Sequence, residues 1–146
     1  YRNFSKRLIK SPKLYFLDTG LLCYLLRIRT PEDLRIHPLR GGIFESWVLS
    51  EVIKMDYSRG REVDVYFWRD STGNEIDLLL DRGEVLVPIE VKSGETFASD
   101  FLDGLRTWRE IASTAQAGVL VYGGEGSFVR AGVQVIGWND WLRPGT

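Results

Sequence analysis

Apolar residues recur at helical spacing in two segments of the chain. From Ile43 to about Met55, and again from Ser99 to Ile111, they fall three or four positions apart, as in a helix that covers a core with one face. The residues that carry the two repeats are Phe44, Trp47, Val48, Val52 and Met55, and then Phe101, Leu102, Leu105, Trp108 and Ile111. The pattern therefore predicts two amphipathic helices.

Between and after these helices the pattern changes to that of β-strands. Polar and glycine-containing turns at 70–74 and 81–84 separate the first three runs, and the fourth is continuously apolar, which is typical of a strand buried on both faces. The predicted strands are 62–68, 75–80, 85–92, 117–122 and 133–136. The order from Ile43 is α-β-β-β-α-β-(β), and it predicts an α/β sandwich with a mixed central sheet.

Smaller elements are predicted ahead of the sandwich. Strand-like runs at 2–10 and 13–18, on either side of Lys10-Ser11-Pro12, predict a β-hairpin. A helix through Gly20–Leu26, capped by Thr19 or Asp18, and a second one beginning at Thr30-Pro31 follow. His37-Pro38 and Gly41-Gly42 then predict a loop.

These elements divide the chain into three parts: a hairpin over 1–20, linking helices and a loop over 21–42, and the sandwich over 43–146. The 146 residues are 44% hydrophobic, which is enough to bury one core. The first residue is Tyr1 and not Met, so we expect a piece of a longer protein.

Several classes of protein are disfavoured by the sequence. The longest apolar run, Leu21–Leu26, falls far short of the roughly 20 residues that span a bilayer, so no membrane partner is expected. No secretory leader opens the chain, and the single cysteine, Cys23, cannot form an internal disulfide. These features predict a cytoplasmic location.

Charge is distributed unevenly although the net charge is only −1. Residues 1–44 carry nine Lys and Arg against three acids, whereas residues 45–110 carry eight against fifteen. A basic arm beside an acidic body suggests contact with nucleic-acid phosphates near a metal-binding centre, and a solvated surface is the alternative interpretation. The candidate phosphate contacts are Lys6, Arg7, Lys10, Lys13 and Arg69.

Two carboxylates and a lysine are predicted to meet on one face of the sheet. Side chains alternate along a strand, so Glu90 and Lys92 share the face opposite to the apolar residues of their strand. Glu75 and Asp77 share a face of the preceding strand in the same way. If the two strands are neighbours, Asp77, Glu90 and Lys92 lie together, and the two carboxylates need a cation between them. Mg²⁺ or Mn²⁺ suits such hard oxygen ligands.

The helix before the strands contributes two more acids. Glu45 lies at the edge of the apolar stripe, from where it could reach the carboxylate cluster. Glu51 lies nearer the middle of that stripe, where a charge needs a partner. We expect Glu51 and Glu75 either to contact the metal-binding residues without binding the metal themselves, or to pair with arginines.

These residues resemble a known signature. Glu45, then Asp77, twelve intervening residues and Glu90-Val91-Lys92 resemble the D-x(n)-E-x-K pattern of the PD-(D/E)XK nuclease superfamily, whose restriction-endonuclease-like core has the same αβββαβ order. Wider phrases resemble the C-terminal domain that follows the ATPase module in a family of prokaryotic AAA+ ATPases. These phrases are KSPKLYFLDTGL, GIFE, YFWRD, GNEID and IEVKS.

The resemblance implies roles for particular residues. Asp77, Glu90 and the carbonyl of Val91 would bind the metal, Glu45 would complete its shell, and Lys92 would position the attacking water or neutralise phosphate charge. It also implies an upstream module that binds ATP, since no G-x-x-x-x-G-K-[ST] motif occurs here, and makes the hairpin the wing of a truncated winged-helix segment.

Three functions stay open on the sequence alone. The first is Mg²⁺-dependent cleavage of DNA in a protein that also contains the ATPase module. The second is a catalytically inactive module of the same fold, used for DNA docking or for contacts within a homo-oligomer or with the ATPase. The third is an interaction domain without a role in nucleic-acid binding.

Overall fold

The computed structural model describes residues 13–112 and 117–142. Its helices are α1 (Thr19–Leu25), α2 (Pro31–Ile36), α3 (Arg40–Ser58), α4 (Asp103–Ile111) and α5 (Trp138–Trp141), and a 3-10 turn, Ser99–Leu102, leads into α4. Its strands are β1 (Val65–Arg69), β2 (Glu75–Asp81), β3 (Leu86–Lys92), β4 (Val119–Tyr122), β5 (Phe128–Arg130) and β6 (Val133–Gly137). No helix in these two ranges has the length and apolar character that crossing a bilayer requires.

The six strands form one mixed sheet in the order β1-β2-β3-β4-β6-β5. The first three are antiparallel, β3 and β4 run parallel, β4 and β6 run parallel, and β5 returns antiparallel to β6. The predicted α/β class with a mixed sheet is therefore confirmed. Parallel pairing of β3 with β4 requires a crossover, and the segment containing α4 provides it.

The sheet is covered on both faces, and each face has its own core. On one face α3 packs Val48 and Val52 against Leu78, Ile89 and Val91 of the central strands. On the other, the segment ending in α4 packs against a second group of buried residues, in which the rings of Trp68 and Trp108 meet edge to face at 5.2 Å. The buried residues of this second core are Trp68, Ile76, Leu79, Leu102, Leu105, Trp108, Leu120, Tyr122, Val133 and Val135.

The predicted alternation of side chains along β2 is wrong at one point, where the strand is irregular. The sequence places Ile76, Leu78 and Leu80 on one face, but Ile76 packs in the α4 core whereas Leu78 and Leu80 pack in the α3 core. The cause is a β-bulge: Tyr66 pairs with Leu79 and Trp68 pairs with Ile76, so β2 has one residue more than β1 at Asp77–Leu78. Asp77 thus lies where the strand changes face.

Two predictions for the amino-terminal part are wrong, and one lies outside the described residues. Residues 13–18 form no strand, because the segment packs Tyr15 against the α3 core and the Leu17 carbonyl accepts a hydrogen bond from Ser50 (2.8 Å) instead of pairing with a strand. Gly41 and Gly42 belong to the first turn of α3 and not to a loop. Residues 2–10, the first predicted strand, lie outside the described ranges.

The two short helices form as predicted, each with a side-chain cap. Asp18 accepts a hydrogen bond from the Leu21 N–H (2.9 Å) at the start of α1. Thr30 and Asp33 form a reciprocal capping box at the start of α2. Strand β5 was not predicted, because its three residues are all exposed and show no alternation.

Candidate functional site

Acidic side chains meet at the edge of the sheet where β2 begins and β3 ends. A cleft of about 470 Å³ opens there, between these two strands and the first turn of α4. Its lining residues are Gly73, Asn74, Glu75, Asp77, Glu90, Lys92, Asp100, Asp103, Gly104 and Thr107. Such a cleft with convergent polar groups is the common form of a binding or catalytic site.

The structure brings Asp77, Glu90 and Lys92 together, as the sequence pattern predicts. Strands β2 and β3 pair antiparallel with Leu78 opposite Ile89, so the two carboxylates come from neighbouring positions of adjacent strands. The Val91 N–H donates to Asp77 Oδ2 at 2.9 Å, and Lys92 Nζ lies 3.0 Å from Glu90 Oε2. Glu90 is only 3% exposed, which is exceptional for an acid.

Burial changes the protonation of this pair. Desolvation, followed by the charge of Asp77, raises the pKa of Glu90 to about 8, although Lys92 opposes the shift. Burial beside the Asp77 carboxylate thus favours the protonated form of Glu90, and Lys92 favours the charged form. Burial also disfavours the charged form of Lys92, but the charges of Glu90 and Asp77 outweigh it and raise the pKa of Lys92 above 10.5.

Room for the Glu90 carboxylate comes from a glycine in a helix. Gly104 is the second residue of α4, and a Cβ atom at this position would overlap Glu90 Oε1. The same Cβ would lie 2.9 Å from the backbone carbonyl oxygen of Glu75 and 3.0 Å from Glu90 Cδ. The absent side chain thus forms a cradle into which the carboxylate fits.

A second lysine lies among the remaining carboxylates. The ammonium of Lys13 pairs with Glu75, lies 3.1 Å from Glu45 Oε1 and 3.8 Å from Asp77 Oδ1, and stands 5.6 Å from the centre of the Phe67 ring. Burial disfavours its charged form, but the bond to Glu75 and the charge of Glu45 outweigh burial and raise the pKa of Lys13. Lys13 is therefore the cation of this part of the site.

The side chain of Glu45, a residue of α3, accepts hydrogen bonds from two donors. Besides Lys13, the hydroxyl of Tyr15 donates to Glu45 Oε1 at 2.7 Å. Burial, the hydrogen bond to Glu45 and nearby negative charge together raise the pKa of Tyr15, so its hydroxyl stays protonated as a donor. Glu45 is consequently linked to Glu75 and Asp77 through the ammonium of Lys13.

The other predicted residues have different surroundings. Glu51 pairs with Lys54 of the same helix (2.7 Å), and Glu75 pairs with Lys13 and, at 3.7 Å, with Arg69. Lys13 and Arg69, predicted as phosphate contacts, thus both pair with acids of the site. The remaining predicted phosphate contacts, Lys6, Arg7 and Lys10, lie outside the described residues.

Sequence reasoning missed several residues of the cleft. Asp100 and Asp103 line it from the 3-10 turn and the start of α4, and no strand pattern links them to β2 and β3. The glycine within the helical repeat at 99–111 was a usable signal, because such a glycine often marks a close approach of another group. Tyr15 carried no signal, since its role depends on the path of an irregular segment.

The donors of the site suit a divalent cation only in part. Asp77 and Glu90 supply hard carboxylate oxygens, and the cradle at Gly104 admits the carboxylate of Glu90. However, among residues 13–112 and 117–142 no group of three or more His, Cys, Asp or Glu side chains is arranged to hold a metal ion. Lys13 lies between the two strand carboxylates of Glu75 and Asp77 and the helix carboxylate of Glu45.

Fold and site together define an α/β domain with a mixed six-stranded sheet and a lysine-neutralised acidic centre at one edge. Residues 40–141 match the domain of unknown function DUF4143, and the chain belongs to that family. Residues 1–32 match a second domain of unknown function, DUF8612. The first match contains Glu45, Asp77, Glu90 and Lys92, whereas Lys13 lies in the second.

Two mycobacterial relatives share part of the chain. They are Uncharacterized protein Rv2008c of Mycobacterium tuberculosis and Uncharacterized protein Mb2031c of Mycobacterium bovis, and each is 31% identical over 96 residues. This stretch covers 66% of the present chain and 21% of each relative, so the match spans about a fifth of the relatives' length. No solved structure matches the chain.

Proposed function

We propose that this chain is a restriction-endonuclease-like domain of the PD-(D/E)XK type that hydrolyses phosphodiester bonds in DNA with Mg²⁺ or Mn²⁺. The observation that carries the proposal is the convergence of Asp77, Glu90 and Lys92 beside an open cleft. The order of α3, β1, β2, β3, α4 and β4 supports it, because it is the element order expected of that fold. In the parent protein the domain would follow an AAA+ ATPase module in a prokaryotic cytoplasm.

Each residue would have a distinct task in this reaction. Asp77 and Glu90, with the Val91 carbonyl, would hold the metal, which when bound supplies an acidified water and charge stabilisation at the phosphate. Lys92 keeps a positive charge 3.0 Å from Glu90 and at the cleft wall, where it can neutralise negative charge that develops on a phosphate. Glu45 would orient the cluster from α3.

Metal binding and cleavage test this proposal separately. We expect one saturable Mn²⁺ site by calorimetry, absent in Asp77→Asn and unchanged in Asp64→Asn, whose residue is exposed and immediately precedes β1. With Mg²⁺, cleavage of plasmid and of single-stranded DNA should fall by about 10²-fold or more in Lys92→Ala, the loss typical of removing one electrostatic contact to a transition state. Wild-type cleavage that survives in Asp77→Asn and Lys92→Ala would refute the assignment.

A catalytically inactive docking module is the second candidate. It is favoured by the ammonium of Lys13 among Glu45, Glu75 and Asp77, which neutralises carboxylates that a metal would use. Such a module should bind DNA with a steep dependence on salt, or bind its partner protein, and Lys92→Ala should change neither. DNA binding without Mn²⁺ binding or cleavage would favour this candidate.

A further inference from the structure

The position of Lys13 is unusual because three acids from two elements converge on one ammonium. Glu45 comes from α3, and Glu75 and Asp77 come from β2. The Lys13 side chain is only 26% exposed and also faces the Phe67 ring. An ammonium with this many acidic neighbours does the neutralising work that a bound metal ion does in other acidic centres.

The segment that carries Lys13 is not part of the sheet or of α3. Residues 13–18 have no regular secondary structure and are fastened to α3 by two side-chain hydrogen bonds, from Tyr15 to Glu45 and from Ser50 to the Leu17 carbonyl. The segment also lies within the stretch that matches a different family from the one containing the acidic centre. A separate sequence unit therefore supplies the cation to this site.

Asp77 links Lys13 to the proposed metal position. Its Oδ2 atom accepts the Val91 N–H, and its Oδ1 atom lies 3.8 Å from Lys13 Nζ. A divalent cation bound through Asp77 would thus stand within a few ångströms of a fixed positive charge. Like charges at such distances repel strongly when both are partly buried.

We propose that Lys13 is a tethered cation that competes with a divalent metal for the acidic centre, so that the 13–18 segment controls metal loading. The inference rests on the proposed metal site and adds its control to it. In this inference a metal bound through Asp77 displaces the ammonium from Asp77 and Glu75, because both cations would otherwise stand beside the same carboxylate. No covalent step is involved.

Mn²⁺ titration of the 146-residue chain by calorimetry tests the competition. In Lys13→Met we expect Mn²⁺ to bind about tenfold or more tightly than in the wild type, because one like charge next to the site is removed. Lys13→Arg keeps the charge and should retain the weak wild-type affinity. Lys54→Met is the matched control, since Lys54 pairs only with Glu51 on the outer part of α3 among the described contacts.

The outcomes separate the inference from the proposed function. Tighter Mn²⁺ binding in Lys13→Met than in the wild type supports the inference. If Lys13→Met binds Mn²⁺ and the wild type binds none, the inference is supported, but metal-dependent cleavage by the wild-type chain is refuted. Equal affinity in the wild type and Lys13→Met overturns the inference but leaves the metal site intact. Absence of binding in both overturns the two together.

A measurement on the wild type covers the case in which Lys13→Met does not fold. Acetic anhydride modifies free lysine amines, and mass spectrometry reports the rate at each lysine. We expect Mn²⁺ to increase acetylation of Lys13 relative to Lys54 by several-fold, because displacement frees the Lys13 amine. An unchanged ratio at saturating Mn²⁺ would overturn the inference.

Discussion

Replacing Gly104 by alanine tests whether the Glu90 carboxylate lies against α4. In an open helix this substitution stabilises a protein, since alanine loses less backbone entropy on folding than glycine does. At Gly104 the new methyl group would overlap Glu90 Oε1 and lie 2.9 Å from the Glu75 carbonyl oxygen. A shift of the Glu90 carboxylate would disturb its contact with Asp77 and the contact of its other oxygen, Oε2, with Lys92, and the Glu75 carbonyl belongs to the backbone of β2.

The size of the effect follows from two opposing terms. Alanine lowers the conformational entropy of the unfolded chain, which contributes about 0.4–1 kcal/mol of stability. Overpacking of a closed site costs about 1–3 kcal/mol. We therefore expect Gly104→Ala to lose about 1–2 kcal/mol. Gly41→Ala is the matched control, because Gly41 is also the second residue of its helix and a Cβ there would meet nothing within 4 Å.

The two variants should differ by about 2 kcal/mol, or roughly 6–8 °C in Tm for a chain of this size. Urea unfolding followed by tryptophan fluorescence measures the free energies, and the Tm values come from scanning calorimetry. We also expect weaker Mn²⁺ binding in Gly104→Ala only. If Gly104→Ala were as stable as Gly41→Ala, the carboxylate of Glu90 would not occupy the cradle, and the geometry of the site would be wrong.

Two further predictions concern acids away from the cleft. The Asn74 amide, with the Thr72 hydroxyl and two backbone N–H groups, lowers the pKa of Asp70 from 3.8 to about 2. Because this pKa is lower in the folded state, the turn contributes stability above pH 4 that is lost as the pH falls towards 2, and Asp70→Asn should flatten that loss in acid titrations followed by circular dichroism. A steep acid transition that is unchanged in the variant would contradict this. Arg82→Met should cost about 2–4 kcal/mol in urea unfolding, because it leaves the buried Asp56 carboxylate without the guanidinium 2.7 Å away. Arg106→Met removes an exposed pair within α4 and should change stability by less than about 0.5 kcal/mol, so equal effects of the two arginine variants would refute the argument.

Local sequence patterns predicted much of the fold but not its long-range details. Helices α3 and α4 and the three antiparallel strands follow from hydrophobic periodicity, and α1 and α2 follow from their caps. The bulge at Asp77–Leu78 could not be predicted, since polar and apolar residues alternate from Glu75 to Leu78 and the extra residue is fixed only by pairing with β1. The irregular path of residues 13–18 could not be predicted either. An apolar run with polar ends favours a strand, and only the folded structure shows that this segment packs against α3 instead.

The site was predictable to the extent that it depends on neighbouring strands. Glu90 and Lys92 meet because side chains alternate along β3, and Asp77 comes next to them because β2 pairs with β3. The placement of Lys13 is different, since a basic residue near the chain start shows no sign of its acidic partners 32 and more residues away. The basic arm suggested phosphate contacts, whereas Lys13 contacts carboxylates of the same molecule.

Three features of the acidic centre each lower the stability of the folded chain. Burying Glu90 next to Asp77 is unfavourable, glycine at position 104 weakens a helix, and the bulge at Asp77–Leu78 interrupts the pairing of β1 with β2. An apolar pair at these strand positions would cover the α4 core without any of these costs. All three features have one common effect, which is to keep two carboxylates close together at the wall of an open cleft. Unfavourable features concentrated at one point are typical of binding and catalytic centres, and titration of the chain with Mn²⁺ tests whether this cleft is one.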